Sequence, residues 1–166
     1  MRVFLAFKSI IFSVLVPGTV AIYLPFSILD QSNRLASVAE ISYAFPALVS
    51  FLVGFGIYIR CTWDFAVSGE GTPAPIDPPK TLVVSGLYRW TRNPMYLGIL
   101  VVLFAEAMFF LSRELSVYAA GIAVLFHLLV IFYEEPILLG QFGDDYADFC
   151  REVPRWGIAR RPYNAC

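Results

Sequence analysis

The strongest constraint on the fold is a run of 20 residues without a charge, from Ile10 to Leu29. At about 1.5 Å per residue, a helix of that length covers the roughly 30 Å hydrocarbon core of a bilayer. The composition agrees, because 58% of the 166 residues are hydrophobic and 15% are charged, against about 25% charged in soluble domains. A soluble globule of this size would leave much of that apolar surface facing water. We therefore predict an integral membrane protein.

Three further apolar runs predict an all-α, single-domain bundle with four transmembrane helices. The second run is uncharged, the third is interrupted only by Glu106, and the fourth only by His127. A very short link around Arg113 and Glu114 joins the third run to the fourth, so these two helices must form an antiparallel hairpin. The predicted spans are residues 10–29, 41–59, 94–112 and 115–133, with a loop at 60–93 and a tail at 134–166.

The charges that flank the spans predict the orientation of the chain. With the N-terminus in the cytoplasm, ten of the 12 Lys and Arg residues fall on the cytoplasmic side and two fall outside. The positive-inside rule therefore favours an N-in, C-in arrangement, with the loop and the tail in the cytoplasm. Four prolines and two glycines predict an irregular segment at residues 69–79. In the tail, Phe142, Tyr146 and Phe149 recur at helical spacing, which predicts an amphipathic helical cap.

Net charge and cysteine content argue against two classes of partner. The net charge is −1, which gives no general attraction for nucleic acid. The three cysteines are odd in number and have no CxxC spacing, so they indicate neither a zinc site nor a disulfide framework. We predict that neither nucleic acid nor a metal is a partner, and the sequence leaves the oligomeric state open.

The most informative polar stretch is GLYRWTRNPMYLG, at residues 86–98. Asn93 followed by Pro94 predicts a helix start, because asparagine caps helices and proline suits their first position. Three unpaired backbone amides are then predicted at the positive end of that helix, those of Met95, Tyr96 and Leu97. Such an end suits a carboxylate or phosphate, and Arg89 and Arg92 could add contacts. A capped membrane helix with topology-setting arginines explains this stretch alone equally well.

Glu134 and Glu135 stand at the predicted end of the fourth span, where the helix dipole disfavours carboxylates. This position indicates a cationic partner. Because adjacent residues point about 100° apart, we expect one acid to meet a ligand amine or sulfonium and the other an arginine such as Arg89 or Arg92. The hairpin brings the acids to the depth of the predicted anion site. A zwitterion such as a methionine-derived cofactor would fit between them.

Two polar residues lie inside predicted spans. Glu106 lies 12 residues beyond Pro94, about 18 Å along the helix, and is either a functional acid or a neutral, hydrogen-bonded one. We interpret the lone His127 as a core histidine whose ring is hydrogen-bonded.

An alternative function is a small four-helix transporter with Glu106 as its proton-coupled site. The long polar loop and the 33-residue tail argue against it, and a third hypothesis, a membrane reductase, needs a nicotinamide site that we do not find in the sequence.

The chain resembles the isoprenylcysteine carboxyl methyltransferase superfamily, which includes phospholipid N-methyltransferases. The resemblance rests on the segment GLYRWTRNPMYLG, the predicted helical hairpin and the later segment EEPILLGQFGDDYADFCREVPRW. The resemblance covers roughly residues 62–156. It implies an S-adenosylmethionine-dependent methyltransferase that acts at the cytoplasmic membrane face on a hydrophobic or lipid-linked acceptor. A prenylcysteine carboxylate and a phospholipid amine are both compatible acceptors, because the acceptor-binding parts match least.

The resemblance also implies which residues bind the cofactor. In such enzymes an Arg-x-Pro-x-Tyr-x-Gly segment and an acidic pair bind it, and a C-terminal Tyr…Val-Pro-Arg segment closes over it and reaches the methyl acceptor. The predicted cofactor-binding residues are Tyr88, Arg92, Asn93, Pro94, Tyr96, Gly98, Glu134, Glu135 and Tyr146. Many members have histidine at the position of Asn93, so here the resemblance implies only a backbone or capping role.

The predicted catalytic residues lie in the tail, on the side of the methyl acceptor. Arg151 or Arg155 could hold an acceptor carboxylate or phosphate, and Glu152 could accept a proton from an acceptor amine. In-line transfer from a sulfonium needs mainly positioning and electrostatics from the protein.

Overall fold

The computed structural model describes residues 15–32, 41–68 and 82–163. Every regular element in these ranges is helical, which confirms the predicted all-α class for them. The main helices are α1 (Leu24–Gln31), α2 (Ile41–Ser68), α3 (Pro94–Phe109), α4 (Arg113–Leu129), α5 (Glu135–Phe142) and α6 (Asp144–Glu152). Short π-helical turns lie at Thr19–Tyr23 and Val130–Glu134, and a 3-10 turn lies at Gly86–Arg89. The segment predicted to be irregular, at residues 69–79, lies outside the described residues.

Among the described residues, two helical segments are long and apolar enough to cross a membrane, Tyr43–Asp64 and Arg113–Phe142. Large apolar side chains such as Phe45 and Phe132 project from them and are exposed. In water such exposure would be costly, whereas lipid tails solvate these side chains. Helix α3 is equally apolar but has 16 residues, fewer than the 19 predicted for the third span. The described residues thus hold two membrane-compatible helices and a shorter apolar one.

The helix of the fourth predicted span, residues 115–133, extends beyond that span. The helix that begins at Arg113 continues to Phe142 instead of ending at residue 133. Pro136 has no N–H to donate inside a regular α-helix. A π-helical turn resolves this conflict, since the Glu135 amide donates to the Val130 carbonyl and Pro136 takes its place at the start of α5. The acidic pair therefore lies within a continuous helix. Helix α2 likewise extends beyond the second predicted span, past residue 59 to Ser68.

Helices α3 and α4 form the predicted antiparallel hairpin. The link between them bends at Leu111, which has a φ of 47°, and Ser112 then caps α4 by accepting the Leu115 amide at 3.1 Å. Buried apolar side chains hold the two helices together, namely Ile99, Leu103 and Ala119. Because of this hairpin, the start of α3 and the end of α4 lie at the same end of the bundle.

Helices α2 and α3 pack closely because each contributes a glycine at the contact. A Cβ atom added to Gly98 would lie 2.9 Å from the Gly54 carbonyl oxygen, and one added to Gly54 would lie 2.7 Å from the Gly98 oxygen. Real Cβ atoms do not approach backbone atoms this closely, so larger residues would push the helices apart. Small residues are the usual means of close packing between membrane helices.

We expect Gly98→Ala to lower the free energy of unfolding by about 1–3 kcal/mol, because the new methyl group overpacks the contact between α2 and α3. Thermal unfolding in detergent measures this. The matched control is Gly121→Ala on α4, where nothing lies within 4 Å of the added Cβ. There the helix preference of alanine, about 1 kcal/mol over glycine, should preserve or raise the midpoint. Equal midpoints for the two variants would contradict the close helix contact.

Candidate functional site

Glu135 is the centre of a group that we call the polar cluster, formed by Arg92, Tyr96, Glu134, Glu135 and Arg155. Arg155 donates to the Glu135 carboxylate from Nε at 2.6 Å and from Nη2 at 2.8 Å, which makes a bidentate ion pair. Arg92 donates to the same carboxylate from Nη1 at 2.9 Å. The side chains of Arg92 and Glu135 are 12% and 19% exposed, so solvent screens their attraction weakly. Glu135 is thus the acid that meets an arginine.

Glu134 faces a different environment. The Tyr96 hydroxyl of α3 donates a hydrogen bond to its carboxylate, and the Tyr96 ring packs against Phe126 of α4 with 4.5 Å between ring centroids. Among the described residues, no arginine or lysine forms an ion pair with Glu134. Its carboxylate is therefore the one in the polar cluster that is open to a cationic ligand.

The start of α3 differs from the prediction in two respects. Asn93 occupies the N-cap position, but its side chain makes no capping hydrogen bond and instead donates from Nδ2 to the Arg155 carbonyl at 3.1 Å. The Leu97 amide donates to the Asn93 carbonyl at 3.1 Å, so the prediction that it is unpaired is wrong. This bond is the first of the helix. The amides of Met95 and Tyr96 precede it and have no acceptor within the helix.

The tail runs back along the segment before α3. We call residues 153–163 the C-terminal strap, and it lies against residues 89–93. Three backbone amides donate across this contact, from Arg92 to Pro154 at 3.0 Å, from Ala159 to Trp90 at 2.7 Å and from Tyr163 to Arg89 at 2.9 Å. The Arg89 side chain adds a bond from Nε to the Tyr163 carbonyl at 2.8 Å. The strap thereby holds Arg155 beside Glu135.

Helix α6 packs its apolar side beneath the polar cluster. The predicted amphipathic helix is confirmed in part: Tyr146 and Phe149 are buried on α6, whereas Phe142 ends α5 and packs against them from there. Gly143, at a φ of 55°, makes the bend between α5 and α6 that a residue with a side chain would strain. Burial raises the pKa of the Tyr146 phenol, so this residue stays neutral. Cys150 of α6 accepts a hydrogen bond from Arg92 Nη1 at 2.9 Å.

Five of the nine predicted cofactor-binding residues are not members of the polar cluster: Asn93, Pro94 and Tyr146, which are described above, and Tyr88 and Gly98. Tyr88 is buried and hydrogen-bonded to the Cys61 thiol of α2. Burial raises the pKa of the Tyr88 phenol well above its usual range, so it also stays neutral. Gly98 lies at the contact between α2 and α3 described above. Both residues position the helices around the cluster.

The three predicted catalytic residues have different surroundings. Arg155 is held by Glu135, whereas Arg151 forms an exposed ion pair with Asp148 at 2.5 Å on α6. Glu152 is exposed at the end of the same helix. The structure therefore brings one of the three into the polar cluster.

His127 is hydrogen-bonded, but it is not a core residue. Its Nδ1 accepts a bond of 2.9 Å from Trp156 Nε1 of the C-terminal strap, and its side chain lies on the exposed surface of α4. The prediction of a core position is wrong because this side of α4 faces outward. Sequence reasoning assigned no role to Trp156 or Cys150, although both belong to the EEPILLGQFGDDYADFCREVPRW motif.

The described residues contain no group of three or more His, Cys, Asp or Glu side chains that could hold a metal ion. Cys61 and Cys150 are both free. What the polar cluster offers is one available carboxylate in Glu134, two arginines tied to Glu135, and two amides at the start of α3. Such an arrangement can bind and orient a charged small molecule.

Two comparisons with known proteins found similar sequences. The methanethiol S-methyltransferase of Mycobacterium tuberculosis is 40% identical to this chain over 67 residues, a match that covers 40% of this chain and 26% of that protein. The match thus spans about a quarter of that relative's length. No solved structure matches the chain at a significant level. Residues 43–145, which include α2, α3, α4 and both acids of the cluster, match the family described as phospholipid methyltransferase. Both matches indicate a methyltransferase, and by the second this chain belongs to the phospholipid methyltransferase family.

Proposed function

We propose that this protein is a membrane methyltransferase that takes its methyl group from S-adenosylmethionine and acts on a hydrophobic or lipid-linked acceptor. The observation that carries the proposal is the polar cluster, in which one acid is tied to two arginines and the other has no arginine partner among the described residues. Both acids and the start of α3 lie within the residues that match the family.

The polar cluster fits the charges of this methyl donor. S-adenosylmethionine supplies an activated methyl group on a sulfonium, and it carries an ammonium and a carboxylate. Glu134 would attract the cationic part, because the partner of its carboxylate in the described part of the chain is the neutral Tyr96 hydroxyl. The amides of Met95 and Tyr96 would receive the carboxylate at the positive end of α3. Asn93 favours this use, since its side chain leaves those amides uncapped.

Glu135 and the arginines have a positioning role in this proposal. The bidentate pair with Arg155 ties the C-terminal strap to the helix that carries Glu134. The bond from Arg92 ties the same carboxylate to the segment just before α3. The strap would thereby stay beside the bound donor and help to exclude water. Arg155 is engaged with Glu135. For Arg151 and Glu152, contact with the methyl acceptor stays a prediction.

The proposal includes four membrane spans, with the N- and C-termini in the cytoplasm. The polar cluster, the C-terminal strap and α6 meet at one end of the bundle. The ten-to-two distribution of Lys and Arg favours the cytoplasm for that end. A soluble donor would then enter from the cytosol, and a hydrophobic acceptor would enter from the bilayer along the exposed apolar helices. The transporter alternative has no support from either comparison.

The test is methyl transfer by the purified protein with methyl-labelled S-adenosylmethionine. Three acceptors should be offered separately: phosphatidylethanolamine in mixed micelles, a farnesylated cysteine analogue, and methanethiol, which the name of the relative suggests. We expect saturable transfer to one of the lipid-like acceptors, lost on heat unfolding. Transfer to methanethiol alone would contradict the proposed acceptor class. A folded protein that labels none of the three would contradict the proposed activity.

A further inference from the structure

A groove of about 230 Å³ lies between α2 and α3, away from the polar cluster. Its lining is apolar apart from Glu106, and it includes Ala47, Phe51, Ala105, Phe109 and Phe110. Glu106 is 12 residues beyond Pro94, so the groove lies about 18 Å along α3 from the proposed donor site. A ligand in this groove would therefore be distinct from the methyl donor.

Glu106 has no polar partner in the part of the chain that the structure describes. Its Oε2 atom is buried without a hydrogen bond, and no described cation forms an ion pair with it. The neighbouring Tyr118 hydroxyl donates instead to the Val20 carbonyl at 2.8 Å. Buried carboxylates normally have a partner, and inside a membrane they mark functional positions. This one is thus set to receive a donor from a ligand.

The walls of the groove select the kind of ligand. Phe109 and Phe110 lie edge to face with 5.1 Å between ring centroids, and Phe51 lies on the α2 side. Aromatic rings attract ammonium groups by cation–π interaction, and a nearby carboxylate adds to that attraction. None of the residues that line the groove carries a positive charge, so a phosphate or a sulfate would find no counter-charge there.

We propose that this groove binds a hydrophobic ammonium ion, with its nitrogen at Glu106 and its alkyl chain along the lipid-facing side of α2. That side is apolar and exposed, with Phe45, Leu48 and Leu52 at helical spacing next to the groove. The groove volume suits an ammonium head with a few methylenes rather than a double-chain lipid. This site is independent of the proposed methyl transfer.

The experiment measures binding of dodecylammonium, whose N–H groups can donate to the Glu106 carboxylate, to the purified protein in dodecyl maltoside, by calorimetry against protein-free micelles. We expect saturable binding to one site, weakened at least tenfold by Glu106→Gln. Dodecanol and dodecyl sulfate, which have the same chain without the positive charge, should show only partition into micelles. Glu114→Gln is the matched control, since Glu114 is an exposed acid at the start of α4 and its loss should not change the affinity.

Phe51→Leu provides a second variant that keeps the groove apolar but removes a ring. We expect severalfold weaker binding of the ammonium ion to it, and this variant decides the question if Glu106→Gln does not fold. The proposal is overturned if the wild type shows no saturable binding, if dodecanol binds to the protein as tightly as the ammonium ion, or if neither variant weakens binding.

Discussion

Replacing Glu135 with alanine is expected to release the C-terminal strap and to lower the free energy of unfolding by about 3 kcal/mol. The carboxylate holds both Arg92 and Arg155, whose side chains are 12% and 29% exposed. Removing it leaves two partly buried guanidinium groups without their counter-charge. That penalty exceeds the net stabilisation which the intact pairs provide, because the pairs themselves already bear a desolvation cost.

Two measurements check this result. Denaturant or thermal unfolding in detergent gives the change in stability, and limited trypsin digestion reports release of the strap through faster cleavage after Arg155 and Arg160. The control is Asp148→Ala, which removes the Arg151 ion pair, whose side chains are 76% and 58% exposed. Exposed pairs contribute about 1 kcal/mol at most, so this control should resemble the wild type. Indistinguishable behaviour of the two variants would contradict the central place of Glu135.

Replacing Glu134 with glutamine is expected to raise the KM for S-adenosylmethionine at least tenfold while leaving stability nearly unchanged. A tenfold change corresponds to about 1.4 kcal/mol. The attraction between a carboxylate and a cation about 4 Å away is about 4 kcal/mol at the intermediate dielectric of a partly buried site. Loss of this attraction is therefore large enough to account for a tenfold weaker binding of the donor. Stability should hold, because no described arginine or lysine depends on Glu134.

Tyr96→Phe is the companion variant for this second prediction. It removes the hydroxyl that donates to Glu134 but keeps the carboxyl group itself, so we expect a smaller, severalfold rise in KM. Initial rates of methyl transfer at varied donor concentration measure both variants, with thermal unfolding as the folding control. An unchanged KM in Glu134→Gln would show that the cationic part of the donor binds elsewhere.

The local features of this protein could be predicted from its sequence. Uncharged apolar runs predict helices, a two-residue link predicts the hairpin, and the spacing of Tyr146 and Phe149 predicts α6 with its buried face. Each of these depends on residues close together in the chain. The pairing of one acid with Arg92 was also predictable, because the hairpin brings the two segments to the same end of the bundle.

The remaining features depend on contacts between distant residues. The Asn93 side chain leaves its capping position because the Arg155 carbonyl, 62 residues later, offers an acceptor. The strap contact between Trp90 and Ala159 is purely backbone, so no side-chain pattern indicates it. The continuation of the fourth helix past Pro136 was missed for another reason. A π-helical turn accommodates the proline, and no periodicity in the sequence marks such a turn.

The most direct test of the central claim, that the polar cluster binds the methyl donor, is a calorimetric titration of the purified wild-type protein with S-adenosylhomocysteine. This product retains the ammonium and carboxylate of the donor, needs no acceptor and produces no turnover. The account predicts saturable one-to-one binding that weakens in Glu134→Gln, with both proteins folded by thermal unfolding. A folded, lipid-supplied wild type that binds no S-adenosylhomocysteine, or a Glu134→Gln variant that binds it as tightly as the wild type, would contradict it.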